Sequence, residues 1–380
     1  MRAVILAAGK GRRLWPLTEN RPKPMIPVAN KPILAHIIET LDTAGVAEAI
    51  LVVGSNRERV QNCFGDGQDY EIDISYVVQE QQLGTGHALL QAASKVGEPF
   101  LALNGDRIFN AELIEEVWER YTDTGDPVVG IKRVENPSRY GVVELDGQTI
   151  VGIEEQPHSG RMPSDFINAG VYAFTPDIFA AIRRTDSHGE QALTDTITEQ
   201  FGTHQVQAVQ YRGMWLDVSE PWDLLTANDA LISYTDSCES TPANVDASAV
   251  VAEAAIVGDG VTVHPQAAVL RGVTLGDNVR VGPGAILENT VVLPDTKIGA
   301  GAVVSDCVIG SNTSVGPNTT MEGGNTDVIL NDEIYHDVTF GGLFGDNVDV
   351  GGNVTVQPGT IVGNETTISS ASLVSGCIED

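Results

Sequence analysis

The stretch 257-VGDGVTVHPQAAVLRGVTLGDNVRVGPGAIL-287 sets an apolar residue at Val257, Val263, Val269, Leu275, Val281 and Leu287, six positions apart each time. A period of six fits neither the turn of an α-helix nor the alternation of an ordinary hairpin array. It fits a prism-shaped β-solenoid, with one short strand on each face and a turn at each corner. Three repeats then close a coil of about 17 to 18 residues. Beyond the quoted stretch, a step of five reaches Val292, and steps of six reach Ile298 and Val304. Another step of five reaches Ile309, and steps of six follow to Val315 and Met321. The steps of five imply corners shortened by one residue. Glycine follows many of these apolar positions. The period falters at 322-EGGNTDVILNDEIY-335, which reads as an inserted loop or irregular coil. It resumes through Phe344, Val350, Val356, Val362, Ile368 and Val374.

Upstream the pattern differs. Strand candidates begin at Arg2 (RAVILAA), Ala49 (AILVVG), Ile74 (ISYVVQ) and Phe100 (FLALNGD), with amphipathic stretches such as PILAHIIETLDTAGV and GTGHALLQAASKV among them. Strands alternating with helices imply an α/β domain with a mostly parallel sheet. Ligands of such sheets bind at the carboxyl ends of the strands, where glycines follow the first candidate and NGD the fourth. The polar stretch 234-YTDSCESTPANVDA-247 reads as a linker. The expected organisation is an α/β domain over 1–233, a linker over 234–247 and an all-β solenoid over 248–380.

The chain has 380 residues, with 22 Lys+Arg against 52 Asp+Glu and a net charge of -30. Nonspecific nucleic-acid binding needs Lys and Arg to displace counterions, so this balance argues against a nucleic-acid partner. The acids are spread along the chain, as on a solvated surface suited to high salt, the halophilic pattern. Cys63, Cys238, Cys307 and Cys377 form no CxxC pair and read as reduced thiols of a cytoplasmic protein. No apolar run approaches membrane-spanning length, and the N-terminal AVILAA reads as a strand rather than a signal peptide.

Scarce positive charge gathers in 6-LAAGKGRRLWPLTENRPKPMIPVANKPIL-34. This stretch is neither a GxGxxG dinucleotide fingerprint nor a Walker A loop. A backbone cradle for phosphate fits it: Gly9 and Gly11 let main-chain N–H groups approach an anion, and Arg13 and Lys23 supply charge. The plainer alternative is a tight βα turn with solvent-facing basic residues.

The whole string resembles the signature of sugar-1-phosphate nucleotidyltransferases, roughly GxGxRL, a short spacer, then PKP. The resemblance implies that Leu6, Ala8, Gly9 and Gly11 bind the nucleotide and that Arg13 and Lys23 are catalytic, Arg13 on the triphosphate and Lys23 near the reacting phosphates. In 77-VVQEQQLGTGHAL-89 it implies that Gln79 contacts a pyrimidine edge and that Gly84 and Thr85 hold the base. The LGTGHA form is most similar to uridylyltransferases acting on N-acetylglucosamine-1-phosphate. It also implies that Asp106, in LNGD, and Asp217, in GMWLDVSEPWDLL, hold Mg²⁺ against the phosphates. The segments RYGVVELDG, IVGIEEQP and FINAGVYAF are similar to sugar-binding segments, with Gly141, Glu155 and Asn168 on the sugar. Many glucose-1-phosphate relatives read EKP where this chain has Glu155, Gln156 and Pro157, so an amide replaces a lysine.

The reaction implied is in-line attack of a sugar-1-phosphate, glucose- or N-acetylglucosamine-1-phosphate, on the α-phosphate of UTP, with dTTP next. The solenoid resembles the left-handed β-helix of hexapeptide-repeat proteins, including archaeal bifunctional pyrophosphorylase/acetyltransferases. That likeness implies a homo-oligomer, a trimer above all. It also raises an acetyl-CoA-dependent second activity using His336 and Asn364, although the spacing is off by one residue around Phe340. A non-catalytic regulatory subunit is a further alternative, opposed by the intact Arg13, Lys23, Asp106 and Asp217.

Overall fold

The computed structural model describes residues 1–54, 56–157, 162–185, 191–200, 205–234, 243–331 and 333–379. Residues 235–242, most of the expected linker, and Cys238 with them, lie outside these. Packing divides the chain into two compact units: Met1–Lys10, Pro22–Met25 and Ile33–Asp217 in the first, and Gly11–Arg21, Ile26–Pro32 and Val218–Asp380 in the second.

In chain order the strands up to residue 217 are β1 (Arg2–Ala7), β2 (Pro27–Val28), β3 (Lys31–Pro32), β4 (Glu48–Val53), β5 (Asp73–Val78), β6 (Phe100–Asn104) and β7 (Arg107–Phe109), then β8 (Val128–Arg133), β9 (Gly141–Asp146), β10 (Thr149–Glu155), β11 (Phe166–Phe174), β12 (Val206–Tyr211) and β13 (Trp215–Asp217). The helices are α1 (Leu17–Asn20), α2 (Ile33–Thr43), α3 (Arg57–Phe64), α4 (Thr85–Gln91), α5 (Ala111–Thr124), α6 (Asp177–Arg184), α7 (Leu193–Gln200) and α8 (Pro221–Tyr234).

The first unit is built on a nine-stranded sheet in the order β5-β4-β1-β6-β11-β8-β12-β10-β9. The four expected strands, β5, β4, β1 and β6, are parallel neighbours. Beyond them the sheet is mixed, so "mostly parallel" is corrected to a parallel half joined to a mixed half. There β11 runs antiparallel to β6 and β8, and β10 antiparallel to β12 and β9. The physical cause is local. A two-residue Gly147–Gln148 connection, with Gly147 at φ 64, folds β9 back onto β10, and a hairpin can only join antiparallel strands. The core draws on Val4, Val52, Phe100, Phe174 and Phe179, and the Phe100 and Phe179 rings stack at 5.5 Å.

The second unit contains three parallel ladders of seven strands each, the β-helix expected from the period of six. Leu275, Val292, Ile309, Phe344 and Val362 are successive partners up one ladder. All five are fully buried. Each such residue contributes about 1.5–3 kcal/mol through burial, so the period is itself the core. Glycines after the apolar positions answer to the next coil: a Cβ on Gly310 would lie 2.2 Å from the Gly345 oxygen. Corner residues Asn312 and Asn347 take φ 55 and 60. Their side chains stack, Asn312 Nδ2 donating to Asn347 Oδ1 at 2.8 Å. The interruption is a β-hairpin, Asn325–Leu330 against Glu333–Thr339, rather than an irregular coil. α8 belongs to this unit. Its buried Asn228 accepts from Ala29 N–H and Thr274 Oγ1 and donates to the Gly272 carbonyl.

Candidate active site

In the first unit the turn Gly105–Asp106 follows β6. A Cβ on Gly105 would lie 2.8 Å from the Leu6 oxygen, so glycine lets this turn close onto the end of β1. The chain then enters β7, which pairs antiparallel with β13 so that Arg107 stands opposite Asp217. This short ladder brings together two carboxylates 111 positions apart in sequence, Asp106 and Asp217.

Each carboxylate meets a cation. Lys23 Nζ donates to Asp106 Oδ2 at 2.7 Å, and both are partly buried. Arg107 is paired with Asp217, and its Nε lies 3.9 Å from Asp106 Oδ1. The guanidinium also lies over the Trp215 and Tyr140 rings, 5.1 and 5.6 Å from their centroids. Burial opposes ionisation of Asp106, but the charges of Lys23 and Arg107 outweigh it and hold the carboxyl well below its ordinary range. The Lys23, Asp106 and Asp217 expected from sequence are thus assembled in one unit. Arg107 was missed: a basic residue after NGD looked like an ordinary strand residue, and only the ladder shows what it faces.

Among the described residues no cluster of three or more His, Cys, Asp or Glu side chains could hold a metal by itself. Two hard oxygen donors, one in the turn before β7 and one at the end of β13, both beside Arg107, suit a divalent cation that takes its other ligands from phosphates and water. Asp106 and Asp217 fit Mg²⁺ in that sense.

The nucleotide segment is braced from the second half of the same unit. Gln79 is buried, and its Nε2 donates to the Gly84 carbonyl at 3.2 Å and lies 2.9 Å from His87 Nδ1. A carbonyl can only accept, so the amide nitrogen must face inward and Oε1 outward. Gly84 has φ 106, and a Cβ there would lie 2.4 Å from the Gln191 oxygen. Thr85 Oγ1 accepts from Leu193 N–H at 2.9 Å, so its hydroxyl fixes the loop. His87 is a second residue that sequence reasoning missed.

Gly141 and Glu155 are partners on the β9–β10 ladder. A Cβ on Gly141 would lie 2.9 Å from Glu155 Oε1, so glycine leaves that exposed carboxylate its room. Asn168 Nδ2 donates to Tyr172 Oη at 2.6 Å, and its Oδ1 accepts from Gly170 N–H at 3.0 Å. Burial pushes the Tyr172 phenol far above its ordinary value, so it stays neutral. Gln156, in the place of the lysine, takes φ 45.

The remaining sequence candidates are in different settings. Leu6 is half-buried near the end of β1; Ala8 is buried, and a Cβ on Gly9 would meet no atom within 4 Å. In the second unit Gly11 takes φ 61 and starts the 3₁₀ turn Arg12–Leu14. Arg13 Nη1 lies 3.3 Å from Oε1 of Glu220, whose side chain is buried. Glu220 sits at the start of α8, where Asp223 Oδ2 accepts the N–H groups of Ser219 and Glu220. Its link to Arg13 was not legible from spacing. His336 lies on the exposed hairpin, its Nδ1 3.1 Å from Asp327 Oδ1. Asn364 instead donates to Glu19 and the Pro16 carbonyl. No hydrogen bond joins His336 to Asn364.

A family model described as nucleotidyl transferase matches residues 2–233, and one described as GMPPB C-terminal domain matches residues 251–378. The chain is 34% identical over 410 residues to the bifunctional protein GlmU of Methanococcus vannielii, covering 100% of this chain and 96% of that protein. It is 32% identical over 306 residues to the glucose-1-phosphate thymidylyltransferase of Streptomyces antibioticus, covering 79% of this chain and 83% of that one. A solved structure of UDP-glucose pyrophosphorylase complexed with UDP-glucose aligns with TM-score 0.57 and 25% identity, covering 62% of this chain and 99% of that chain. The nucleotidyl transferase model spans more than half of the chain and the GlmU relative its whole length, so the chain belongs to the nucleotidyl transferase family and is a nucleotidyltransferase.

Proposed function

We propose that the chain transfers a uridylyl group from UTP, with dTTP the second choice, to glucose- or N-acetylglucosamine-1-phosphate, releasing pyrophosphate. The observation that carries this reading is the β7–β13 ladder, which pairs Arg107 with Asp217 directly after Asp106, while Lys23 pairs with Asp106. Mg²⁺ held by Asp106 and Asp217 would neutralise phosphate oxygens as charge moves to the leaving group. The nucleophile is already an anion, so the residues mainly position and neutralise. Lys23 steadies the reacting phosphates. The glycine turn with Leu6 and Ala8, and Arg13 with it, holds the triphosphate. Gln79 presents Oε1 to the imide N–H shared by uracil and thymine, while Gly84 and Thr85 shape the base site. Gly141, Glu155 and Asn168 meet sugar hydroxyls. At Gln156 no cation is offered to the acceptor phosphate, so either another cation serves or the acceptor binds differently.

The names of the relatives, a thymidylyltransferase and a UDP-glucose pyrophosphorylase, support both bases. The whole-length GlmU relative is named bifunctional, which favours acetyl transfer as a second reading, but the engagement of Asn364 with Glu19 and Pro16 weighs against it. We place the reaction in the cytoplasm, where both substrates are made, and the working chain in a homotrimer formed through the β-helix. No described helix is long and apolar enough to cross a membrane. The test is pyrophosphate release over a grid of nucleoside triphosphates and sugar-1-phosphates in high salt with Mg²⁺. Release with UTP and one of the two sugars is expected, and no release with any pair would refute the reading.

A further inference from the structure

The loop Gly11–Arg21 carries Arg13, yet its polar partners come largely from the β-helix within the same unit. Ser311, Asp346 and Asn364 each follow a glycine at the same corner of successive coils. Arg21 Nη2 lies 2.5 Å from Asp346 Oδ1 and 2.6 Å from Oδ2. Arg21 is 8% exposed and Asp346 5%. Asp346 Oδ1 also accepts from Ser311 N–H at 2.8 Å, and Oδ2 from Asn20 Nδ2 at 3.1 Å. Asp346 N–H donates to Asn364 Oδ1 at 2.7 Å. Asn364 Nδ2 in turn donates to Glu19 Oε2 at 2.6 Å and to the Pro16 carbonyl at 3.0 Å. Glu19 Oε1 accepts from Trp15 Nε1 at 2.8 Å.

Five loop residues, 15, 16, 19, 20 and 21, are thereby tied into one network anchored on three corners. The loop cannot order itself, because its helical segments are single turns, Arg12–Leu14 and Leu17–Asn20. A buried ion pair adds little net stability compared with apolar packing of the same volume. What a satisfied buried network does supply is a single geometry. That is the requirement on a loop whose arginine must meet a phosphate to within about 0.5 Å.

We infer that Asp346 and Asn364 are positioning residues for nucleotidyl transfer: they fix the loop Gly11–Arg21 so that Arg13 meets the triphosphate in one arrangement. This rests on the role proposed above for Arg13.

The test uses the full chain and measures KM for each substrate by pyrophosphate release. Asp346→Asn keeps the shape and removes the charge facing Arg21. Asn364→Asp replaces the donor to Glu19 by a second carboxylate, at a half-buried position where folding is not threatened. Each variant should raise KM for the nucleotide about tenfold while KM for the sugar-1-phosphate stays within about twofold. In an Arg13→Ala background neither should add a further loss, since both act through Arg13. If Asp346→Asn does not fold, Asn364→Asp decides alone. An unchanged nucleotide KM in Asn364→Asp, an equal loss for both substrates, or additivity with Arg13→Ala would each overturn the inference. A wild-type chain inactive with every pair would instead refute the reading beneath it.

Discussion

Asp106 and Asp217 show how the site manages negative charge before any phosphate arrives. Lys23 pairs with Asp106 and Arg107 with Asp217, and the two cations differ in kind. Lys23 is a compact point charge on Asp106, whereas Arg107 is a planar group lying over two aromatic rings beside Asp217. In the proposed reaction Lys23 is the one to move onto phosphate, because its ammonium can turn among acceptors while the guanidinium lies against its ring contacts. Lys23→Ala should lower kcat by about 10²–10³, the usual loss for one preorganised donor, with circular dichroism unchanged. Near-normal turnover would remove Lys23 from the chemistry. Arg107→Gln has a different signature. It removes the Arg107 charge paired with Asp217, and breaking such a pair from one side costs about 3–5 kcal/mol when it is buried. The variant should therefore melt well below wild type without metal and recover most of the difference in millimolar Mg²⁺. Equal melting losses with and without Mg²⁺ would show that those carboxylates are not where the ion binds.

At the scale of elements, the β-helix was legible almost residue by residue, because its period is its core. Val263, Leu275, Val292 and Phe344 are inward-facing for the same reason they recur. The parallel half of the first sheet was legible too, since its strands are buried apolar runs. The mixed half was not. β9, β10 and β11 carry polar residues such as Glu155 and Asn168 that blur the strand pattern. Of the site, the residues of the signature could be read. Arg107, Glu220 and Asp346 could not, because their partners Asp217, Arg13 and Arg21 lie far away in sequence. The glycines give the sharpest test at this level. Gly310 lies where a Cβ would meet the Gly345 backbone rather than a side chain that could turn aside. Gly310→Ala should therefore force coils apart and cost more than about 2 kcal/mol, above the ordinary effect of a point substitution. Gly284→Ala meets no atom within 4 Å but must take φ 68, so it should cost only about 1 kcal/mol. Equal denaturation midpoints for the two variants would contradict the close-packing account.

For the molecule as a whole, charge and apolar surface pull against each other. The outward positions of one β-helix ladder are Val250, Ala268, Ile286, Val303, Thr320, Thr355 and Leu373. Val250, Ile286 and Leu373 are 57%, 41% and 68% exposed. The corresponding positions of the ladder before it are Asn244, Thr262, Arg280, Lys297, Ser314, Asp349 and Thr367, a polar row. One face is thus suited to burial against further copies and another to water. Bringing chains of net charge -30 together is opposed by long-range repulsion, which salt screens to about 3 Å at 1 M. Salts excluded from protein surfaces also strengthen apolar burial. The proposed trimer should therefore be salt-dependent. Light scattering should give three chain masses in molar salt and a lower mass as salt is removed. Ile286→Glu, which sets a charge in the middle of the apolar row, should hold the chain at the lower mass even in molar salt. Lys297→Gln, on the polar row, should leave the mass unchanged. A wild-type monomer in molar salt, or a trimer unaffected by Ile286→Glu, would mean that this face is not where the copies meet.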